Sequence, residues 1–118
     1  MNLTEVNLSG VNLSGANLSR VNFYRANLEG ANLEGANLKT ANLTRATLTG
    51  VNLRGATLEG AYLIETILLG ANLEGANLRT ATLRGATFEG ANLDRASADV
   101  WTVWPEGFDP EAGGVFFP

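Results

Sequence analysis

Residues 26–45 read ANLEGANLEGANLKTANLTR, and the spacing of their leucines decides the fold. Leu28, Leu33, Leu38 and Leu43 stand five residues apart, each with an alanine two positions before it. On an α-helix a step of five advances about 500°, so such leucines would spiral around the surface, and on a flat strand they would alternate between faces. A single inward direction for all of them requires a chain that turns a corner every five residues. Short extended sides joined by turns and wound into a coil meet that requirement.

The pattern runs well beyond this stretch. Leu or Phe recurs at every fifth residue from Leu3 to Leu93, nineteen times, with Phe23 and Phe88 as the aromatic variants. The position two before is a small apolar residue, usually Ala, enlarged to Val at Val6, Val11, Val21 and Val51 and made polar only at Thr66. Gly occupies the fifth position at 10, 30, 50, 70 and 90 and again at 15, 35, 55 and 75, whereas residues 5, 25, 45 and 65 read Glu, Arg, Arg, Glu. A period of twenty sorts these columns best, which predicts four sides per coil. Gly tolerates the positive φ of a type II turn, so two corners of the square are expected to be built differently from the other two. Coils stacked at the strand spacing of about 4.8 Å would give nearly five layers and a rod of about 20 to 25 Å, filled by rings of Leu and of Ala or Val.

The recurring motif Ala-Asn-Leu-x-Gly resembles that of the pentapeptide-repeat family over residues 1–95, with Ala96, Ser97, Ala98, Asp99 and Val100 as a fading twentieth unit. The resemblance implies an all-β fold, a right-handed quadrilateral β-helix, and the non-repetitive aromatic residues that follow it are expected to form a C-terminal cap. Residues 1–100 would form the solenoid and residues 101–118 the capping tail. Short coils and the segment TVWPEGFDPEAGG are similar to cyanobacterial members of the family. Some members mimic duplex DNA and bind type II topoisomerases, so inhibition of gyrase is the alternative to a structural or protein-interaction role.

Composition narrows the chemistry. The chain has no cysteine and no histidine, which removes disulfides, thiol nucleophiles, Cys/His zinc sites and histidine acid–base catalysis. No catalytic residue, cofactor site or metal site is assigned. Acidic and basic residues balance at eight each over residues 1–95, so the formal charge of −4 comes from Asp99, Glu106, Asp109 and Glu111. A neutral body offers no field for nucleic acid and imitates it poorly, which argues against the gyrase alternative. No apolar run spans a bilayer and the N-terminus has no basic start followed by a hydrophobic segment, so neither membrane nor export is indicated and the cytoplasm is the expected location.

Stacking by twenty makes the outward columns legible. One runs Glu34, Arg54, Glu74, Asp94 and another Lys39, Glu59, Arg79, Asp99, so opposite charges mostly alternate, every carboxylate is expected to have a basic neighbour, and no acid–base pair or cleft emerges. Asn12, Asn32, Asn52, Asn72 and Asn92 form an unbroken column whose side chains satisfy one another and their local turns. The segment AYLIETILLG, residues 61–70, breaks this polarity: Tyr62, Ile64, Ile67 and Leu69 stand where neighbouring coils carry polar residues, with Tyr24 two coils from Ile64. Left in water, four such groups forgo on the order of 6 to 12 kcal/mol. Two covers are expected for this patch. The first is the tail, which holds Trp101, Trp104, Phe108, Phe116 and Phe117, has a turn at WPEG, and places Asp109 before a Pro110 helical turn. The second is a protein partner or a second copy, with a homodimer through a solenoid end as one form.

Overall fold

The computed structural model describes residues 1–118. The residue before each central Leu pairs in parallel with the residue twenty positions ahead, without a break from Asn2↔Asn22 to Asn77↔Ser97. Four sides per coil therefore follow directly from the pairing register; in the first coil, sides one to four are residues 1–5, 6–10, 11–15 and 16–20. Each side, however, contributes one bridged residue and not a strand. The reason is length: of five residues, two point inward and two make the corner, which leaves one to pair. On side two, for instance, Asn27 donates its N–H to the Val6 carbonyl at 2.9 Å and accepts from the Leu8 N–H at 2.7 Å, and the Gly10 N–H donates to the Glu29 carbonyl at 2.9 Å. With 77 backbone–backbone bonds in total, the chain matches the usual backbone share of about two-thirds of a bond per residue without a helix or a continuous strand.

The corners differ from expectation. All nineteen fifth-position residues have positive φ, the glycines between 65° and 76° and the others, among them Arg20, Thr40 and Glu65, between 56° and 65°. The four corners are thus of one kind. Every side must bend inward by the same angle, so the backbone imposes the same left-handed residue whether or not the sequence supplies glycine. Each non-glycine corner carries about 1 kcal/mol of conformational cost. Two bonds lock each turn. One closes the backbone, as from the Val11 N–H to the Leu8 carbonyl at 3.3 Å. The other is local: Asn7 Oδ1 accepts the Ser9 N–H at 3.1 Å, and the same bond recurs where Asn stands at this position, as at Asn32 and Asn72.

The interior is filled. The central residues from Phe23 to Leu83 are fully buried, as are nearly all the alanines between them. Thr66, the one polar member of the small-residue column, is completely buried and donates its hydroxyl to the Leu43 carbonyl at 2.7 Å, which is how the polar exception is satisfied. Leu3, Leu8 and Leu13 of the first coil are only half-buried.

Pairing does not stop at residue 100. Val103 bridges Thr82 and Phe116 bridges Ser97, so the tail adds part of a sixth layer and the longest dimension reaches 33 Å. Val103 lies twenty-one residues after Thr82, one more than the repeat. The extra residue follows Asp99, whose Oδ1 accepts the N–H groups of Thr80 at 3.1 Å and Trp101 at 3.0 Å. Beyond it Thr102 takes the small-residue position and donates to the Leu78 carbonyl at 2.8 Å, repeating the device of Thr66, and Trp104 takes the position of a central Leu. Residues 105–114 loop out through two turns; in the second, Asp109 Oδ1 accepts the Glu111 N–H at 3.2 Å. The loop returns at Gly114, where a Cβ would lie 2.6 Å from Asp94 Oδ1, so only glycine fits.

Gly55 has open space where a methyl group would project, whereas a Cβ at Gly85 would meet Glu65 Cγ at 3.1 Å. Gly55→Ala is expected to cost about 1 kcal/mol of stability from φ alone, and Gly85→Ala more. Urea unfolding midpoints check this; two variants as stable as the parent would show that the corners carry no strain.

Candidate interaction surface

The four sides present unlike surfaces. Side three is the most regular. Its asparagine column is joined partly rung to rung, Asn52 Nδ2 lying 3.4 Å from Asn32 Oδ1, and beside it Arg54 bonds Glu34 and Glu74, each at 3.0 Å, while Arg95 bonds Glu74 at 2.7 Å. Side four carries Lys39 and Glu59 at 3.2 Å. The expectation that every carboxylate has a basic neighbour is not met: Glu5, Glu29, Glu89 and Asp94 make no ion pair within the chain; Glu29 and Glu89 have neutral counterparts in the coil before them, Ser9 and Leu69, and Asp94 has the like-charged Glu74. No group of three carboxylates converges on a point where a metal ion would sit.

Sides one and two carry the apolar break. Tyr62 is 50% exposed, Ile67 37% and Leu69 39%, with Ile64 half-buried between them. Tyr24 is not part of this cluster; Thr44 separates it from Ile64, and its ring lies under the Arg25 guanidinium at 5.4 Å. Val103, 43% exposed, extends the column of Tyr62 and Thr82. Sequence reading missed it because the extra residue after Asp99 shifts the register; the order Thr102-Val103-Trp104, small then outward then large, was the available signal.

The tail does not cover this patch. Trp104 and Phe108 stack at 5.2 Å on each other and reach Phe88 at 6.4 and 5.2 Å. Their place is the end of the solenoid, where no residue pairs onward from Thr87 and Phe88 lacks a full coil above it. Trp101, Phe116 and Phe117 remain 72%, 48% and 43% exposed. Phe88, Pro105, Glu106 and Phe108 line a shallow open groove beside this stack.

Two carboxyl groups, Glu74 on side three and Asp99 on side four, are shifted by their surroundings. Hydrogen bonds from Arg95 and then Arg54 hold the Glu74 carboxyl below the usual carboxylate range. For Asp99, burial acts to raise the carboxyl, but the N–H groups of Thr80 and Trp101 together with Thr102 outweigh it and leave the group lowered. A carboxyl whose folded value is depressed contributes stability above its unfolded value and loses it as pH falls through the folded one. Urea midpoints are therefore expected to drop on acidification below about pH 4, and the drop is expected to be smaller in Glu74→Gln. An unchanged acid profile in that variant would show that the Arg54–Glu74–Arg95 cluster is not coupled to folding.

The chain is similar to several solved structures. A pentapeptide repeat protein from the cyanobacterium Cyanothece 51142 is 44% identical, with a TM-score of 0.78 over 79% of this chain and 63% of the other. One from the thylakoid lumen of Arabidopsis thaliana is 39% identical, with a TM-score of 0.74 over the same shares. One from Nostoc Pcc 7120 is 33% identical, with a TM-score of 0.65 over 99% of this chain and 80% of that one. The aligned region thus spans less than two-thirds of the first two proteins. QnrB1, a plasmid-mediated fluoroquinolone resistance protein, shares the fold at 20% identity and a TM-score of 0.54 over 99% of this chain and 77% of its own. No curated protein matches the chain. No helix is long and apolar enough to cross a membrane. Eight copies of the repeat are recognised over residues 2–39, 41–79 and 70–97, and with these structures they show that the chain belongs to the pentapeptide-repeat family, whose members fold as right-handed β-helices.

Proposed function

We propose that the chain is a non-enzymatic scaffold that binds protein through the apolar surface of Tyr62, Ile64, Ile67 and Leu69. One observation carries this reading. Tyr62 and Ile67 occupy positions where asparagine elsewhere accepts the N–H of the following turn, so each forgoes a hydrogen bond worth about 0.5 to 1.5 kcal/mol and exposes apolar surface as well. A residue that lowers stability at no benefit to the core is best explained by a contact outside the chain. The filled core supports the same reading, since it leaves no interior pocket for a substrate. Tyr62→Asn and Ile67→Asn are expected to keep or raise the urea midpoint while lowering the binding of an apolar dye. A lower midpoint in both would make these residues part of the folding core and defeat the reading.

Inhibition of gyrase is the less favoured alternative, because residues 1–95 carry no net charge and QnrB1 shares the fold alone. The chain is expected to leave gyrase supercoiling unaffected; inhibition at micromolar protein would reverse the ranking.

The same proposal makes residues 101–118 a cap on the solenoid end. The stack of Phe88, Trp104 and Phe108, with Val115 buried above Ala96, supports it. Cutting the chain after Val100 is expected to lower solubility and the unfolding midpoint. A cut form that stays folded, soluble and of the same size by light scattering would remove the capping role.

A further inference from the structure

We infer that side two is a self-complementary docking surface, and that its occupant is a second copy of this chain lying parallel, related by a two-fold axis along the solenoid. The inference rests on the apolar-surface reading above and names its partner.

The charges of this side are arranged in levels. Arg25 and Arg84 stand at the edge it shares with side one, and Glu29 and Glu89 at the opposite edge. None of the four makes an ion pair within the chain, whereas Arg45 and Glu65, at the level between them, are paired at 2.8 Å. Four or five residues along a coil rise only about 1 Å, so Arg25 is level with Glu29 in the second coil and Arg84 with Glu89 in the fifth. Between these levels lie Thr44, Thr47 and Thr49, then Ile64, Ile67 and Leu69.

A two-fold axis parallel to the solenoid returns each level to its own level and exchanges the two edges. Arg25 then faces Glu29 of the second copy, Arg84 faces Glu89, and the Ile64, Ile67 and Leu69 row meets itself. An antiparallel arrangement fails on the same residues. It keeps the edges and exchanges the second and fifth coils, which sets Arg25 against Arg84, Glu29 against Glu89, and the apolar row against threonines. Charge complementarity therefore selects both the occupant and its direction. A whole face of a body of 33 × 25 × 23 Å is only about as large as the roughly 800 Å² per partner of a standard interface, and the docking row covers part of it, so the association belongs to the weak, concentration-dependent class.

Sedimentation velocity of the full chain tests this over a range of concentrations, at low and high salt. A reversible monomer–dimer equilibrium that weakens with salt is expected. Ile67→Asn restores the repeat's own residue, so folding is retained, and it is expected to weaken the dimer at least about tenfold. Arg84→Glu is expected to weaken it by about the same factor, with recovery on adding Glu89→Arg. A gain in affinity from Arg84→Glu alone would overturn the parallel arrangement, as would a double variant that fails to recover. A chain that stays monomeric at its highest soluble concentration overturns the second copy as occupant. If Tyr62→Asn and Ile67→Asn still lower dye binding in such a monomer, the apolar-surface reading survives; if they do not, both fall together.

Discussion

Nineteen successive sides of this solenoid, from Glu5 to Arg95, end on a residue held at φ between 56° and 76°, and the rest of the structure depends on that bend. Because it recurs at a step of five, each central Leu can face the axis; because four bends close a coil, each residue before a Leu meets its counterpart twenty positions on. The bend is imposed by closure and not by local preference, as Arg20, Arg25 and Thr40 demonstrate by adopting it against the usual preference of an L-residue. What offsets their cost is regular and close at hand: a backbone bond across each corner, an asparagine acceptor beside every non-glycine corner but Glu65, and a continuous buried core.

Inward and outward positions are consequently almost independent. Leu63 and Leu68 are fully buried in the coil whose outer surface carries Tyr62, Ile67 and Leu69, so a change of surface left the fold undisturbed. This separation lets one prism carry unlike faces. Side three devotes its outward positions to asparagine rungs and to the cluster of Glu34, Arg54, Glu74 and Arg95, which satisfies itself and asks for nothing from outside. Side two holds apolar residues and charges with no counterpart in the chain, and a surface of that composition is incomplete by itself.

The end of the solenoid reuses the devices of its body. Thr66 inside the body and Thr102 in the last layer both answer a carbonyl of a buried Leu, and Trp104 and Val115 stand where a Leu and an Ala stood in earlier coils. The tail is thus a distorted continuation of the repeat, offset by one residue at the turn that Asp99 caps. Two of its aromatic residues, Trp104 and Phe108, went to Phe88, since that ring at the end of the stack had lost the covering layer that every central Leu below it possesses.

The sequence by itself determined the period of five, the four-sided coil, the composition of the core and the place where the surface changes character, because each is a matter of spacing and residue type repeated nineteen times. It also exposed the local partners of asparagine, which lie two residues away. It did not reveal that all corners are alike, since glycine columns suggested two kinds and only closure of the coil shows that every corner must adopt the same φ. Nor did it reveal that the tail rejoins the stack at Val103 and Phe116 while leaving Tyr62, Ile67 and Leu69 open. Those outcomes depend on the contacts open at the end of the stack and on the register a single inserted residue produces. Both are settled by packing between segments distant in sequence, which no local pattern records.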